Sequence, residues 1–174
     1  MTTLQYSSSS TGDLFVRPTY PIAMPNGKLC VADSGAHRLV LLSAAGKRVK
    51  QPKRLPVLNL PTGVACSDSS IYVADQGTHQ IHRLDLSDFS PAGIAGGPGS
   101  GVGQLTSPQG LVLYRDVLYV SDSLNHRVAM FHPLLLDPLG EPFGHEGAGA
   151  GELCYPHGLA VRATPHDAMQ GVPL

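Results

Sequence analysis

One pattern of twelve residues occurs twice in this chain and constrains the fold more than any other feature. Its copies are GSGVGQLTSPQG at 99–110 and GAGAGELCYPHG at 147–158. Glycine, leucine and proline recur at the same places, and Gln104 of the first copy corresponds to Glu152 of the second. Every correspondence is displaced by 48 residues. Self-similarity at a fixed spacing indicates a repeat architecture, in which each unit packs on its neighbours.

The last three residues of the pattern, Pro-x-Gly, mark further copies of the repeat. They recur at 61–63, 108–110 and 156–158, and a degenerate version occupies 18–20. The prolines are 43, 47 and 48 residues apart, a period shared by propeller blades and helical solenoids. Short β-prone runs follow each copy, with turn residues between them and no 3.6-residue apolar period. A content of 20 Gly and 15 Pro suits such frequent turns, so the repeats are predicted to be β-sheets.

We expect three strands in each repeat and a weaker fourth strand in the linker. In the third repeat the strands are predicted at 110–114, 117–121 and 127–131, and the fourth near 141–144. A meander this small cannot stand alone, so consecutive repeats must pack face to face. The sequence therefore predicts an all-β fold, either a β-propeller or an open arc of three complete blades and the start of a fourth.

The predicted domain boundaries follow the repeats. Three repeats cover 18–60, 61–107 and 108–155, and a partial repeat covers 156–162. The preceding residues, 1–17, are rich in Ser and Thr and are predicted to be disordered. Residues 163–174 are predicted to form a C-terminal tail.

Within each repeat, a strand ending in Asp is followed by a turn and then by His and a further strand. The copies are VADSGAHRL at 31–39, VADQGTHQI at 73–81 and VSDSLNHRV at 120–128. Together with Pro-x-Gly, this motif resembles the NHL repeat. The matching positions, which we interpret as structural, are Asp33, His37, Arg38, Pro61, Gly63, Asp75, His79, Pro108, Gly110, Asp122, His126, Arg127, Pro156 and Gly158.

The resemblance implies an NHL-type propeller, a ring that usually has about six blades of four strands. This chain supplies three recognisable blades and the first strand of a fourth. We therefore expect a fragment, an alternatively spliced product or a protomer that completes a ring by association, for instance as a homodimer. An unclosed arc leaves strand edges unpaired, and such edges invite pairing with another chain.

The three Asp-x-x-x-His pairs, Asp33/His37, Asp75/His79 and Asp122/His126, combine a carboxylate with an imidazole. Such pairs could bind a metal or act as acid and base. Because they recur at equivalent positions, the favoured interpretation is structural: each pair braces its own turn through side-chain hydrogen bonds to the backbone. The glycine-rich linkers likewise fit no phosphate-binding motif, and they are interpreted as inter-blade connectors. No cofactor or metal site is predicted.

The one concentration of charge lies in the first inter-blade loop. It comprises Lys47, Arg48, Lys50, Lys53 and Arg54. This cluster could contact RNA phosphates or an acidic partner or act as an import signal, or it is simply a solvated loop. It contains no aromatic residue on which bases could stack.

Bulk properties exclude several classes of function. The net charge of −1 gives no global field that would attract nucleic acid or an anionic membrane. Cys30, Cys66 and Cys154 are far apart in the sequence and form no C-x-x-C pair, as expected of reduced thiols in an intracellular protein. No secretory signal or membrane-spanning run is recognisable. A cytoplasmic location, with the nucleus as an alternative, is the resulting expectation.

The favoured function is a non-catalytic interaction scaffold that binds a protein or peptide partner at the propeller face. Thr62, Gln109 and His157 occupy the variable position of Pro-x-Gly and are expected near the channel mouth. The resemblance implies a role as the substrate-recognition part of a ubiquitin-ligase system, although three cysteines cannot supply a RING domain. It also implies an alternative, a metal-dependent propeller enzyme such as an amidating lyase or a lactonase-like hydrolase. RNA binding through residues 47–54 is a third possibility.

Overall fold

The computed structural model describes residues 15–51 and 53–162 of the chain. Within these residues all regular structure is β, apart from two short 3-10 turns at Ser34–Ala36 and Ser123–Asn125. The strands, in chain order, are β1 (Pro18–Ala23), β2 (Leu29–Asp33), β3 (Arg38–Leu42), β4 (Pro61–Cys66), β5 (Ser70–Asp75), β6 (Gln80–Asp85), β7 (Pro91–Gly96), β8 (Pro108–Tyr114), β9 (Val117–Asp122) and β10 (Arg127–Phe131).

The strands form three antiparallel meanders, which are the blades. Blade 1 has the order β1-β2-β3, blade 2 has β4-β5-β6-β7 and blade 3 has β8-β9-β10. The first strands of the blades lie side by side, because β4 contacts both β1 and β8. Residues 156–162 form no strand, and His157 and Leu159 within them lie beside Gly110 of β8. The predicted all-β class and the arc of three blades with the start of a fourth are therefore confirmed.

The fourth strand expected in the linkers forms to a different extent in the three blades. Blade 2 has a full fourth strand, β7, because a tight turn closed by the bonds from Asp85 N to Ser90 O and Phe89 N to Asp85 O returns the chain along β6. In blade 3 the region predicted near 141–144 gives only isolated bridges, including Val128 to Phe143. In blade 1 the linker forms no fourth strand: it makes an isolated backbone bridge from Leu42 to Arg48, and the Gln51 amide bonds to both the N–H and the C=O of Leu41 on β3.

Apolar side chains fill the two inter-blade interfaces. One cluster joins blade 1 to blade 2 through residues such as Leu39 and Ile71, and a second joins blade 2 to blade 3 through residues such as Ile81 and Leu118. Both faces of the middle blade are therefore apolar, which explains why its strands lack apolar-polar alternation. Burial between blades is the main source of stability, since no single blade has a core of its own.

The outward face of blade 1 is covered by the chain itself. Val31, Val40 and Leu42 are between 3% and 7% exposed, and Phe15 packs against them. The backbone N–H groups of Val16 and Arg17 donate to Asp33 Oδ1. The expectation that all of residues 1–17 are disordered is therefore wrong for 15–17, which apolar packing and these bonds attach to blade 1. Residues 1–14 and the predicted tail at 163–174 lie outside the described residues.

Among the described residues there is no helix of sufficient length and apolarity to cross a lipid bilayer.

Candidate functional site

The Pro-x-Gly segments begin the first strand of each blade, and in every blade the pairing register shifts just after them. The shifts fall between Thr19 and Ile22 in β1, between Pro61 and Val64 in β4 and between Pro108 and Leu111 in β8. Such bulges take residues out of the ladder and redirect their polar groups. The x and Gly residues are thereby free to contact the neighbouring blade.

The glycines of Pro-x-Gly let adjacent first strands approach closely. A Cβ at Gly63 would overlap the carbonyl oxygen of Gln109, and a Cβ at Gly110 would overlap that of His157. These clashes are with backbone, which cannot rotate away. Glycine is therefore required by backbone-to-backbone contact between blades.

Hydroxyl groups fasten the same strands together across the blades. Thr19 Oγ1 donates to the carbonyl oxygen of Thr62 at 2.8 Å, and Thr62 Oγ1 lies 3.0 Å from that of Pro108. Ser121 Oγ, from β9, donates to the carbonyl oxygen of His157 at 2.6 Å. Thr62 is 3% exposed, so its hydroxyl group serves here to link two neighbouring blades.

The motif histidines also join neighbouring blades. The Nδ1 atoms of His37, His79 and His126 accept hydrogen bonds from the backbone N–H groups of Leu60, Ser107 and Tyr155, respectively. Each donor is the residue before the proline of the following repeat. The expectation that each Asp-His pair braces its own turn is therefore wrong for the imidazoles, because their left-handed backbone, with φ between 52° and 60°, directs the rings to the next blade.

The motif aspartates hold the chain segment that enters their own blade. Asp33, Asp75 and Asp122 accept backbone N–H bonds from residues 16 positions earlier in the sequence: Arg17, Asn59 and Thr106. Burial by itself would raise the pKa of Asp33, but the N–H bonds from Arg17 and Val16 and the guanidinium of Arg38 outweigh it. The net effect is a pKa below the ordinary value of 3.8. Asp33 is thus a structural carboxylate.

A cavity of about 550 Å³ opens where the first strands converge. This volume lies within the usual range for small-ligand sites, about 300–1,000 Å³. We call this site the central pocket. The described residues that line it are Arg17, Thr19, Tyr20, Ser34, Leu60, Thr62, Gln76, Gln109 and His157.

The lining of the central pocket is rich in hydrogen-bonding groups. Gln76 Nε2 donates to Ser107 Oγ at 2.9 Å, which fixes that amide between blades 2 and 3. Gln109 Nε2 lies 3.4 Å from the same hydroxyl. Tyr20 is 36% exposed and supplies an aromatic ring with a hydroxyl group. Arg17 adds one positive charge, so the pocket suits a polar ligand that presents carbonyl or carboxylate oxygens.

The structure brings together the three positions that the sequence suggested as partner-binding. Thr62, Gln109 and His157 all line the central pocket. Sequence reasoning did not find Arg17, Tyr20, Ser34 and Gln76. These residues lie at positions that recur in every repeat. Arg17 precedes the proline, Tyr20 stands at the glycine position, and Ser34 and Gln76 each follow the motif aspartate. Aligning the repeats column by column would have identified them.

The basic cluster does not belong to the central pocket. Lys50, Lys53 and Arg54 line a separate cavity of about 350 Å³ at the outer rim of blades 1 and 2. Lys47 and Arg48 line neither cavity. The two groups of candidate partner-binding residues therefore form two sites.

Metal binding and thiol reactivity depend on the His, Cys, Asp and Glu side chains of the described residues. In the part of the chain that the structure describes, His, Cys, Asp and Glu side chains form no group of three or more that could hold a metal. The three cysteines are free thiols. Burial, with a smaller contribution from Cys66, raises the pKa of Cys30 to about 12, so this thiol stays protonated and unreactive.

Comparison with known proteins identifies the fold. No protein-family model matches the sequence, and no curated protein matches it either. Among solved structures, hydrazine synthase of Kuenenia stuttgartiensis is 10% identical with a TM-score of 0.63, covering 88% of this chain and 41% of that one. A nidogen/laminin complex is 18% identical with a TM-score of 0.57, covering 72% and 47%, respectively.

A third similar structure is a catalytically inactive virginiamycin B lyase from Staphylococcus aureus. It is 16% identical with a TM-score of 0.53, covering 70% of this chain and 40% of the lyase chain. The present chain thus spans less than half the length of these structures. At such identities the similarity shows architecture alone, and that architecture is the β-propeller.

Proposed function

We propose that this chain is an NHL-type propeller module without catalytic activity, which binds a protein or peptide partner at its central pocket. The observation that carries the proposal is the convergence of the variable Pro-x-Gly residues of successive blades on one cavity. The backbone around them is held by the close contacts at Gly63 and Gly110, so Gln109 and His157 are presented from a fixed frame. Rigid frames that present variable side chains are typical of recognition surfaces.

The chemistry of the lining favours a peptide as the ligand. Amide, hydroxyl and guanidinium groups can bond the carbonyl oxygens of an extended chain, and Tyr20 offers a ring for an apolar side chain. One similar structure, the nidogen/laminin complex, contains a propeller fold together with a protein partner. On the NHL resemblance, we further propose a role as the substrate-recognition part of a ubiquitin-ligase system in the cytoplasm or nucleus.

The proposal is tested by capture of partners from a cell extract with wild-type protein and two matched double variants. Arg17→Ala/His157→Ala removes two central-pocket side chains, and Lys47→Ala/His145→Ala removes the same types of charge elsewhere. We expect a partner that the wild type and the second variant retain and that the first variant loses by at least tenfold, as for a loss of hot-spot contacts. Equal retention by both variants contradicts a central-pocket function.

The second candidate function is the metal-dependent propeller enzyme, an amidating lyase or lactonase-like hydrolase, that the NHL resemblance implies, with His157 on the central face as its candidate metal ligand. Metal analysis of the purified protein separates the two. Zinc or calcium at one equivalent, lost in His157→Ala, would replace the scaffold proposal with the enzyme.

A further inference from the structure

A second cavity, distinct from the central pocket, lies at the outer rim between blades 1 and 2. We call it the rim groove. It has a volume of about 350 Å³, and its described lining residues are Asn26, Lys28, Leu41, Lys50, Gln51, Lys53, Arg54, Leu86, Ser87, Asp88 and Phe89. Lys28 comes from the turn between β1 and β2, far in sequence from the basic cluster. The fold therefore adds a fourth cation to three that the linker supplies.

Specific bonds hold the backbone around Lys28 and the part of the linker that flanks Lys50. Lys28 N donates to Asn26 Oδ1, and Met24 N donates to the carbonyl oxygen of Lys28, which closes the turn. In the linker, Val49 N donates to the carbonyl oxygen of Leu41, and the Gln51 amide bonds to β3. Lys28 and Lys50 are thus carried by hydrogen-bonded backbone.

The charge of the rim groove is unbalanced. Four cationic side chains face one carboxylate, Asp88, which pairs with Arg54 at 3.4 Å. Lys28, Lys50 and Lys53 have no ion-pair partner among the described residues. Since the whole chain has a net charge of −1, this excess is local. Such a patch raises the local concentration of an anionic ligand and favours its binding.

The apolar part of the lining distinguishes between classes of anion. Leu41, Leu86 and Phe89 complete the lining, and of these three Leu86 is half-buried while Leu41 is 4% exposed. Single-stranded RNA binders stack bases on exposed aromatic rings, whereas Phe89, the aromatic residue in this lining, is only 5% exposed. The partly exposed aliphatic side chain of Leu86 among the lysines matches instead a short segment in which acidic side chains flank an aliphatic one.

We propose that the rim groove is a docking site for an acidic peptide segment of a partner protein, with carboxylates on Lys28, Lys50 and Lys53 and an aliphatic side chain above Leu86. The site is independent of the central pocket and of the function proposed for it. One partner chain can therefore engage both sites, with the rim groove raising its effective concentration at the central face.

The proposal is tested by fluorescence anisotropy at low salt with a labelled Glu-Glu-Leu-Glu-Glu peptide. Lys50→Gln/Lys53→Gln is expected to raise the Kd about tenfold, by loss of two charge contacts. The matched control, Lys47→Gln/Arg162→Gln, removes the same net charge outside the rim groove and is expected to change the Kd less than about twofold. Circular dichroism verifies that both variants are folded.

A second, independent test looks for a variant that binds the peptide more tightly. Asp88→Asn removes the negative charge from the rim groove and is expected to tighten binding about twofold to threefold. Replacing the leucine of the peptide by glycine is expected to weaken binding several-fold, since the apolar contact is lost.

Several results would overturn the proposal. If both double variants weaken peptide binding equally, the peptide is attracted by the net charge of the protein and does not bind specifically in the rim groove. Oligouridylate that binds more tightly than the peptide and displaces it would assign the rim groove to RNA. The absence of saturable peptide binding to the wild type, or unchanged affinity in Lys50→Gln/Lys53→Gln, would exclude a peptide-docking site.

Discussion

Blades 2 and 3 bury the same aspartate at the same place but surround it differently. Asp122 of blade 3 accepts bonds from the Thr106 N–H, from Asn125 Nδ2 and from Arg127 Nε, all within 2.8 Å. Arg127 also donates to three carbonyl oxygens of the glycine-rich loop at 100–104. One side chain thus neutralises a buried charge and anchors the connector that enters its blade.

Blade 2 lacks both of these partners. Gln80 stands where blade 3 has Arg127, and Thr78 stands where it has Asn125. Asp75 keeps the N–H bond from Asn59, but its Oδ1 atom has no hydrogen-bond partner, and His82 Nε2 lies 3.6 Å from Oδ2. A buried charge with incomplete hydrogen bonding costs stability.

The difference between these blades shows what each part of the motif contributes. Aspartate alone is enough to hold the entering segment, because blade 2 forms without the arginine. The arginine adds charge compensation and anchors a loop. Blade 2 has instead a complete fourth strand and a neighbour on each side, which contribute apolar burial to its stability.

The largest effect is expected from making blade 3 resemble blade 2. Arg127→Gln leaves Asp122 buried without its cation and frees the 100–104 loop, so the free energy of unfolding should fall by about 3 kcal/mol. Urea unfolding measures this loss. Arg127→Lys should recover only part of it, because an ammonium group cannot reproduce the fork to three carbonyl oxygens. A loss below about 0.5 kcal/mol would mean that the bonds of Asp122 to Thr106 and Asn125 suffice.

The reverse change should strengthen blade 2. Gln80→Arg offers Asp75 the guanidinium that Asp33 and Asp122 already have, and we expect a gain of about 1 kcal/mol. The matched control is Gln80→Met, which fills similar space without charge. If both variants gain equally in thermal unfolding, packing and not the ion pair is responsible.

The smallest effect concerns pH and extends the comparison to blade 1. Because the folded-state pKa of Asp33 is below 3.8, ionised Asp33 contributes stability above its unfolded pKa, and this contribution is lost as the pH falls through the folded value. The stability difference between wild type and Asp33→Asn should therefore be constant near neutral pH and shrink in strongly acidic solution. A difference independent of pH would show that ionisation of Asp33 is irrelevant.

Local sequence was sufficient to predict the blades, since the strand patterns and the Pro-x-Gly spacing are set within each repeat. The predicted strands of the third repeat agree with β8, β9 and β10 to within two residues. The edge of blade 1 could not be predicted, because its linker pairs with β3 through one isolated backbone bridge and through the side-chain amide of Gln51. No propensity or periodicity reports a side chain that mimics backbone.

Contacts between blades were harder to predict than the blades themselves. The histidine bonds to the next repeat depend on left-handed backbone at His37, His79 and His126, a conformation that sequence patterns do not specify for histidine. Lys28 joins the rim groove only through the packing of blade 1 against the linker. The positions Thr62, Gln109 and His157 were predictable because they repeat in register.

The matched tyrosines Tyr72 and Tyr119 show the effect of context on identical positions. Tyr72 is 1% exposed because blade 3 packs on it, whereas Tyr119, three residues before its own motif aspartate, remains half-buried.

At the other end of the arc, Phe15 already covers blade 1. A homodimer that closes a ring head to tail would have to displace Phe15.

The close approach at Gly63 and Gly110 makes the spacing of the blades independent of some of the side chains that line the central pocket. The distance between neighbouring first strands is set there by main-chain atoms, so substitutions at Gln109 and His157, whose side chains take no part in these contacts, are expected to leave the spacing of the blades unchanged. Thr19 is different, because its hydroxyl group bonds the carbonyl oxygen of Thr62 and belongs to the frame itself. The proposed ligand preference of the central pocket could therefore be changed at Gln109 and His157 without altering the curvature of the arc.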